Sequence, residues 1–363
     1  MLRNLRISGF RGLRELSMTG LGRVNLFVGT NNCGKTTVLE AIHWLSAGGT
    51  AAPIWQAQVL RGEVTDNPRE PDVSHLVHGR QLVEGGGFRL EAKTDHEPLS
   101  VSASFEARDP SDKDVEDEQA ELLNAAGLGT SAPPWMWMKL FWERGTRSGG
   151  FNVPITRRGS ARERDLLSVQ VAVGPLGPAL LLGAGGMDSA NVVALFDRVV
   201  LTPDEATVLG ALQTIEPGIQ RMASVTGQPW RSGQVSAGGI VMMVDGHRVP
   251  IGSMGDGIWR LLGIALALVN AKGGVLLVDE IDTGLHYSVL VDLWRLVLAT
   301  ARKLDVQVFA TTHSRDCYEA LAAVTEPDRS EISLQRIERG KPEAIGFTED
   351  EIRQAAERGL EVR

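Results

Sequence analysis

One octapeptide, Gly29-Thr30-Asn31-Asn32-Cys33-Gly34-Lys35-Thr36, restricts the possible folds of this chain more than any other feature. It fits the pattern G-x-x-x-x-G-K-[ST], which binds phosphate when a buried strand precedes it and a helix follows. An apolar run, Val24 to Val28, precedes it. The apolar residues that follow recur at helical spacing: Val38, Leu39, Ile42 and Leu45. The sequence therefore predicts a strand, a phosphate-binding loop and a helix in that order.

The residue types of this phosphate loop determine its chemistry. Its two glycines allow backbone conformations that a side chain disfavours, so that successive N–H groups can point at phosphate oxygens. Lys35 is predicted to contact the β- and γ-phosphates, and the Thr36 hydroxyl to bind Mg²⁺. The alternative is a glycine-rich turn with an incidental lysine, which leaves the two flanks unexplained. The candidate nucleotide-binding residues here are Gly29, Asn31, Asn32, Cys33, Gly34, Lys35, Thr36 and Thr37.

Composition limits the class of protein. The chain has 363 residues, which predicts one large or two modest domains. Its formal net charge of −8 argues against a generally basic nucleic-acid-binding coat but not against a local basic groove. Two cysteines, Cys33 and Cys317, imply no disulfide framework. We expect a cytoplasmic protein without a membrane partner, because no signal peptide is evident and the run Ile258 to Val269 is short and contains Arg260.

Two further apolar runs end in residues that can carry chemistry. Gly274 to Glu280 is typical of a buried parallel strand that ends in two acids, and α/β sheets place their sites at such strand ends. Asp279 is predicted to hold Mg²⁺ and Glu280 to polarise the attacking water. His313 follows Val306 to Ala310 in the same way and is predicted to contact the γ-phosphate. The alternatives are surface acids and a structural histidine.

Small residues precede another predicted helix. Ser253-Met254-Gly255-Asp256-Gly257, here called the signature segment, comes directly before the helical pattern that begins at Ile258. Such a segment is a second candidate anion-binding loop. If both loops served one nucleotide, its phosphates would be doubly occupied. We therefore expect Ser253 and Gly255 to serve the nucleotide of a second subunit.

Two charge runs dominate the middle of the chain. Residues 106–121 contain eight acids and two bases, which indicates a solvated linker or helix face. Residues 139–164 contain seven bases and two acids, and aromatic residues interleave with their start. The apolar and aromatic residues from Trp135 to Trp142 favour core packing. Contact with nucleic acid is the alternative for this basic stretch.

Together the motifs resemble the ABC-type ATPase head of the SMC, RecF and OLD (overcoming-lysogenisation-defect) group. Asn31 occupies the asparagine position of that group's phosphate loop, and Asp279-Glu280 resembles the Walker B pair. Ser253-Met254-Gly255 resembles the signature motif, His313 the switch histidine, and Thr283-Gly284-Leu285-His286 the D-loop. The C-terminal motifs are most similar to the small OLD-like, AAA15/AAA21-type ATPases of bacteria.

This resemblance implies an α/β P-loop NTPase fold, with an ABC-ATPase-like head, a mixed central sheet and an inserted α+β or helical subdomain. The implied division is 1–80 for the Walker A part of the head, 81–235 for the inserted subdomain, and 236–363 for the part with the signature, Walker B and switch histidine. His78 and Gln81 are the candidates for the Q-loop. A signature of Ser-Met-Gly-Asp-Gly, rather than Leu-Ser-Gly-Gly-Gln, argues against a transporter subunit.

The resemblance also implies an ATPase that uses ATP and Mg²⁺ and works as a homodimer around two nucleotides. Lys35, Glu280 and His313 are then catalytic, and Thr36 and Asp279 bind the metal. The first functional hypothesis is a switch that regulates a separately encoded effector, a nuclease, in bacterial anti-phage defence. Two alternatives stay open: a RecF-like DNA repair or recombination ATPase that contacts DNA, and a nucleotide-dependent interaction module with little turnover.

Overall fold

The computed structural model describes residues 1–48, 50–65, 70–108, 135–167, 176–225, 239–326, 330–360 and 362. The strands in these ranges are β1 (Leu2–Phe10), β2 (Leu13–Met18), β3 (Val24–Val28), β4 (Gly87–Thr94), β5 (Pro98–Ala107), β6 (Met136–Arg144), β7 (Arg147–Ile155), β8 (Ala179–Leu182), β9 (Ile219–Val225), β10 (Gly239–Val244), β11 (His247–Pro250), β12 (Val275–Val278), β13 (Gln307–Thr311), β14 (Ile332–Arg336) and β15 (Ile345–Phe347). The helices are α1 (Lys35–Ser46), α2 (Ala52–Leu60), α3 (Glu163–Leu167), α4 (Ser189–Val199), α5 (Pro203–Gln213), α6 (Asp256–Asn270), α7 (Leu290–Leu304), α8 (Arg315–Ala322) and α9 (Glu349–Glu357). Short 3₁₀ turns occur at Val73–Leu76, His78–Arg80, Ile251–Ser253 and Tyr287–Val289.

A six-stranded central sheet carries the predicted chemical motifs. Its order is β15-β14-β3-β13-β12-β8, and every strand except β15 runs parallel to its neighbours. The strands β3, β12 and β13 are buried along their whole length, as expected where both faces of a parallel sheet are covered. Parallel strands end at the same edge, so the loops after these three strands meet there. The predicted α/β fold with a mixed central sheet is confirmed.

A second, antiparallel sheet of order β2-β1-β4-β5-β6-β7 holds α1 from the other side. The Trp44 ring of α1 lies 5.2 Å from the Phe88 ring of β4, measured between centroids. Gln307 connects the two sheets, because its side-chain amide accepts from the Leu2 N–H at 2.7 Å and donates to the Leu2 carbonyl at 2.8 Å. The helix that follows the phosphate loop is therefore clamped between two sheets.

The aromatic stretch forms a strand with two different faces. Met136, Met138 and Trp142 are buried, so core packing is confirmed for the inward face of β6. On the outward face, Lys139 Nζ is paired with Glu106 at 2.5 Å, and Phe141 is 44% exposed. Most of the acidic run at 106–121 lies outside the described residues. Nucleic-acid contact by the basic stretch stays a prediction.

Residues 81–235, predicted as an inserted subdomain, contribute strands to all three sheets. β4 pairs with β1 in the antiparallel sheet, β8 pairs with β12 at the edge of the central sheet, and β9 pairs with β10 in a small sheet of order β11-β10-β9. Each of these pairings is made with a strand outside the segment. Within the segment, the strands β4 to β7 also pair with one another. Backbone pairing therefore joins the described part of 81–235 to the head, and the predicted division into an inserted subdomain stays a prediction.

The helix α6 is the long buried helix of the C-terminal half. Its residues from Arg260 to Val269 are all buried, and α4 and α5 pack against it. Among the described residues, no helix combines the length and the apolar composition that crossing a bilayer requires.

Candidate nucleotide-hydrolysis site

Two glycines with positive φ shape the phosphate loop after β3. Gly29 has φ 144° and Gly34 has φ 107°. A Cβ on Gly29 would lie 2.3 Å from the Ile337 carbonyl oxygen, and one on Gly34 would lie 2.7 Å from Cδ2 of Leu13. Both positions therefore favour glycine, as the motif predicts. The helix α1 begins directly afterwards, at Lys35.

Lys35 lies inside the loop and is 6% exposed. Its Nζ donates to the carbonyl oxygens of Gly29 at 2.8 Å and Thr30 at 3.1 Å, and it lies 3.3 Å from Nδ1 of His313. Burial lowers the pKa of Lys35, although Cys33 and the nearby acids favour its charged form. Phosphate oxygens are charged and stronger acceptors than backbone carbonyls. The lysine is therefore positioned to exchange these carbonyls for a nucleotide.

The two predicted Mg²⁺ ligands are in direct contact. Thr36 Oγ1 donates to Asp279 Oδ2 at 2.9 Å, and Thr311 Oγ1 donates to the other oxygen, Asp279 Oδ1, at 2.7 Å. A hydroxyl beside a carboxylate supplies the hard oxygen donors that Mg²⁺ prefers, and that ion usually keeps its other positions for water and phosphate. These residues fit a Mg²⁺ ion that arrives with a nucleotide.

Glu280 turns the chain sharply after β12. Its φ is 48°, in a region that non-glycine residues seldom occupy. The Glu280 N–H donates to Thr311 Oγ1 at 2.7 Å, and its carboxylate accepts from Thr283 Oγ1 at 3.2 Å. The carboxylate is 41% exposed, so water reaches it. A carboxylate in this position can take a proton from an attacking water.

His313 lies between Lys35 of the phosphate loop and Glu280 of the acid pair. Its Nδ1 is 3.3 Å from Lys35 Nζ, and its Nε2 is 3.7 Å from Glu280 Oε1. The tautomer decides which ring nitrogen donates. The imidazole therefore contacts both the residue predicted to bind phosphate and the residue predicted to activate water.

The other predicted residues of the phosphate loop divide into two sets. Asn31 and Asn32 are exposed on the rim of the loop, and Asn32 has a positive φ of 59°. Cys33 is 3% exposed and Thr37 is 8% exposed. Burial of the Cys33 thiol favours an inert side chain over a reactive one.

The signature segment is arranged differently. Ser253 and Gly255 are exposed, and Gly255 has φ 89° directly before α6. The segment contacts the predicted D-loop, because a Cβ on Gly257 would lie 3.2 Å from the Gly284 carbonyl oxygen. Among the described residues, none of the hydrogen bonds and ion pairs of this segment joins it to the phosphate loop. Its assignment to a second subunit's nucleotide stays a prediction.

Sequence reasoning missed two residues that hold the acid pair in place. Thr311, at the end of β13, bonds both the Asp279 carboxylate and the Glu280 N–H. Arg260 of α6 donates to the backbone carbonyls of both acids, at 2.7 Å and 2.9 Å. The available signal for Arg260 was a charged residue in an otherwise apolar helix, which requires a polar partner when buried. A hydroxyl at a strand end gives no such signal.

One of the two Q-loop candidates, His78, contacts the turn between β1 and β2. His78 Nδ1 is 3.1 Å from the carbonyl oxygen of Arg11, and Gln81 is exposed. Neither has a hydrogen bond to the acid pair among the described residues. Their predicted role is untested.

Two family models match separate parts of the chain. The model described as "AAA ATPase domain" matches residues 1–75, which include the phosphate loop. The model described as "AAA domain, putative AbiEii toxin, Type IV TA system" matches residues 212–316, which include the signature segment, the acid pair and His313. The two matches therefore cover the two halves of the site.

The chain is also similar to individual proteins and solved structures. A Helicobacter pylori protein named "ATP/GTP phosphatase" is 22% identical over 361 residues, covering 89% of this chain and 88% of that protein. The DNA replication and repair protein RecF of Acinetobacter baylyi is 25% identical over 124 residues, covering 32% of this chain and 34% of RecF. An SMC head domain from Pyrococcus furiosus, solved with the C-terminal domain of ScpA, is 11% identical and has a TM-score of 0.49. The superposition covers 98% of this chain and 98% of that domain.

The sequence matches and the site agree on one class of protein. Both family models are ATPase or AAA domains, and they include every motif assembled at the edge of the central sheet. The loop, the acid pair and the histidine contact one another. The chain is an ATP-hydrolysing enzyme with two segments that match AAA ATPase domain models, and it is similar to RecF over 32% of its length.

Proposed function

We propose that this ATPase is a molecular switch that hydrolyses ATP at a homodimer interface and thereby regulates a separately encoded effector. One observation carries the proposal. The phosphate loop is surrounded by catalytic groups of its own chain, whereas Ser253 and Gly255 are exposed at the start of α6. A second copy of the chain can supply the missing contact to each nucleotide. ATP is then part of the subunit contact and stabilises the closed dimer by differential affinity.

Binding relies on the phosphate loop. The N–H groups at the start of α1 and the Lys35 ammonium hold the phosphate oxygens. Thr36 and Asp279 would hold Mg²⁺, which neutralises charge on the phosphate oxygens when bound. Thr311 keeps the Asp279 carboxylate in place through its 2.7 Å bond to Oδ1. These interactions account for the affinity for ATP, and they contact its phosphates rather than its base.

Hydrolysis relies on Glu280. Its carboxylate accepts a proton from water as the water oxygen bonds to the γ-phosphorus, and the bond to the ADP oxygen breaks. His313 lies 3.7 Å from that carboxylate and 3.3 Å from Lys35 Nζ, so it can respond to the presence of the γ-phosphate. Loss of the γ-phosphate removes the group that a second chain's Ser253 and Gly255 would contact. The dimer then opens, and the change in subunit contact is the output.

The effector hypothesis concerns which protein responds to the change in subunit contact. The resemblance to small OLD-like ATPases, together with a family description that names a putative toxin, favours bacterial anti-phage defence. A nuclease encoded separately is the effector class that this resemblance suggests. An activity that appears only when the neighbouring gene product and ATP are both present would support it, and full activity of that product alone would contradict it.

Glu280→Gln tests the switch directly. The amide cannot accept the proton, so we expect kcat to fall by about 100-fold or more, with unchanged ATP affinity and a longer-lived dimer. Single-turnover hydrolysis and light scattering in ATP measure the two effects. Asp292→Asn, which neutralises an exposed acid of α7, is the matched control and should behave like the unaltered protein. Normal hydrolysis by Glu280→Gln would exclude Glu280 as the base. Unaltered protein that binds ATP without turnover would instead identify an interaction module.

A RecF-like role in DNA repair or recombination is the second candidate. It is favoured by the partial match to RecF and by the exposed residues Arg157 and Arg158 after β7. DNA binding through these residues would weaken as salt rises, because phosphate contacts release counterions. Reversal of both charges to glutamate should then remove binding measured by fluorescence anisotropy. Unaltered, salt-sensitive binding would place the DNA contact elsewhere on the chain.

A further inference from the structure

Arg260 is the charged residue inside the buried face of α6. It is 5% exposed and follows the signature segment by one helical turn. Burying a guanidinium is unfavourable unless its donors are satisfied. Burial also lowers the pKa of Arg260, while three acids after β12 favour its charged form. A charge retained at such a position indicates a specific partner.

The partners of Arg260 are backbone carbonyls rather than carboxylates. Nη1 donates to the Gly183 oxygen at 2.8 Å, and Nη2 donates to the oxygens of Asp279 at 2.7 Å and Glu280 at 2.9 Å. Gly183 follows β8, and the two acids follow β12, the neighbouring strand. One side chain therefore holds two adjacent strand ends at the edge where the nucleotide is predicted to bind.

The backbone that Arg260 holds is a strained one. Glu280 has φ 48°, and such conformations persist where surrounding contacts impose them. Thr311 bonds the N–H of Glu280 at 2.7 Å on one side. Arg260 bonds the carbonyl of the same residue on the other side. The direction of the Glu280 carboxylate thus depends on both contacts.

The position of Arg260 in α6 connects this turn to the signature segment. α6 begins at Asp256, directly after Gly255, so the segment and Arg260 move with one helix. A second contact supports the connection, because Gly257 packs closely against the carbonyl of Gly284. A shift at the start of α6 therefore reaches the peptide groups of the acid pair through hydrogen bonds.

We infer that Arg260 is a positioning residue that sets the turn of Glu280 for hydrolysis and couples it to the signature segment of the same chain. The inference rests on the proposed function, in which that segment contacts the nucleotide of a second subunit. Each chain would then bring its own Glu280 into position when its signature segment closes on its partner's ATP. Hydrolysis at one nucleotide would depend on the state of the other.

Two substitutions at Arg260 test this inference. Arg260→Lys keeps the charge, but its single nitrogen cannot span the carbonyls that Nη1 and Nη2 reach separately. Arg260→Met removes every donor. We expect kcat to fall by about 100-fold in both, because a displaced catalytic group loses its alignment, while KM and the dissociation constant of ATP change by less than about threefold. The ATP-bound dimer should live longer, as predicted for Glu280→Gln. Should Arg260→Met fail to fold, Arg260→Lys decides the question.

Trp259→Phe is the matched control. Trp259 lies next to Arg260 in α6 and donates from Nε1 to the Met187 carbonyl at 3.0 Å, in the same loop after β8. Its replacement removes one hydrogen bond to that loop and none to the acid pair, so kcat should stay within about twofold. An equal loss of kcat in Trp259→Phe would show a general structural role and overturn the inference.

The remaining outcomes separate the two proposals. Inactive Glu280→Gln together with folded Arg260 variants of normal kcat would overturn the role of Arg260 and leave the switch intact. A rise in KM at constant kcat would also overturn it, since that pattern means weaker binding rather than misplaced chemistry. Normal hydrolysis by Glu280→Gln would overturn the proposed function itself.

Discussion

The phosphate loop and the signature segment are two glycine-containing loops that each lead into a helix, yet they are built differently. A Cβ at Gly34 would collide with Leu13, whereas one at Gly255 would meet no described atom within 4 Å. Lys35 is 6% exposed and bonded to its own loop, whereas Ser253 is exposed. The first loop is packed within its chain, and the second presents an open surface. This difference supports the proposal that the second loop contacts a partner's nucleotide.

The largest expected effect is a loss of ATP affinity on substitution in the phosphate loop. Lys35→Ala should weaken ATP binding by about 100-fold or more, about 2.7 kcal/mol, because it removes the ammonium that faces the phosphates. Isothermal calorimetry measures the affinity, and thermal unfolding checks that the fold persists. Lys303→Ala removes an exposed lysine of α7 and serves as the control. Retained affinity in Lys35→Ala would refute the assignment of the loop.

A substitution in the signature segment should weaken association of the two subunits rather than ATP binding. Ser253→Arg places a bulky cation where a second chain is predicted to dock, so we expect a monomer that still binds ATP with an affinity within about threefold of normal. Light scattering in the Glu280→Gln background reports the dimer. Leu201→Arg adds the same charge at a residue that is 94% exposed and should leave the dimer unchanged. An ATP-dependent dimer of Ser253→Arg would show that the signature segment does not act in trans.

The helices behind the two loops should differ in their response to acid. α1 buries His43, whose pKa burial lowers to about 4, whereas α6 buries a guanidinium that stays charged. Unfolded histidine binds a proton below about pH 6.5, so the unfolded state gains protons first and stability falls as pH drops from about 6.5 towards 4. At pH 5 the loss is on the order of 2 kcal/mol. Denaturant unfolding at pH 7 and pH 5 should show a smaller loss in His43→Gln. Equal losses would mean that His43 is protonated in the folded chain.

The smallest expected effect is the difference in stability cost between alanine substitutions at the two glycines Gly255 and Gly34. Gly255→Ala places a side chain at φ 89° in open space, at a cost of about 1–2 kcal/mol. Gly34→Ala has a similar backbone cost and must also displace Leu13, so it should cost about 1 kcal/mol more. The free energy of unfolding without nucleotide measures both. A larger cost at Gly255 would mean that the signature segment is packed in solution.

Local patterns identified most of the residues that the structure brings together at the candidate site. The glycines of the phosphate loop, the acids after β12 and the histidine after β13 were all identified from strand, turn and helix signals, and the structure brings Lys35, Asp279, Glu280 and His313 together. This worked because parallel strands end at one edge of a sheet, so residues that follow different strands become neighbours. The hairpin turn at Asp245-Gly246 and the helix cap at Thr202 are local features of the same kind.

Long-range pairing could not be predicted in this way. The sequence did not reveal that β4 pairs with β1 and β8 with β12, pairings that join residues 81–235 to the rest of the head. Arg260 appeared only as a break in an apolar run, although its guanidinium reaches Gly183 and the acid pair. Neither partner choice is encoded within a window of neighbouring residues, because hydrogen-bonding backbone groups are chemically alike along the chain.

The sequence by itself predicted a phosphate-binding strand–loop–helix unit and an acid pair at the end of a buried strand. Those properties depend on residue type and spacing, since glycine permits the loop and a strand end exposes the acids. Only the tertiary structure decided how the acid pair is held, through Thr311 and Arg260, and which of the two loops is packed against the rest of its own chain. The reason is that these properties depend on contacts between segments far apart in sequence, whose partners are selected by packing of the whole fold.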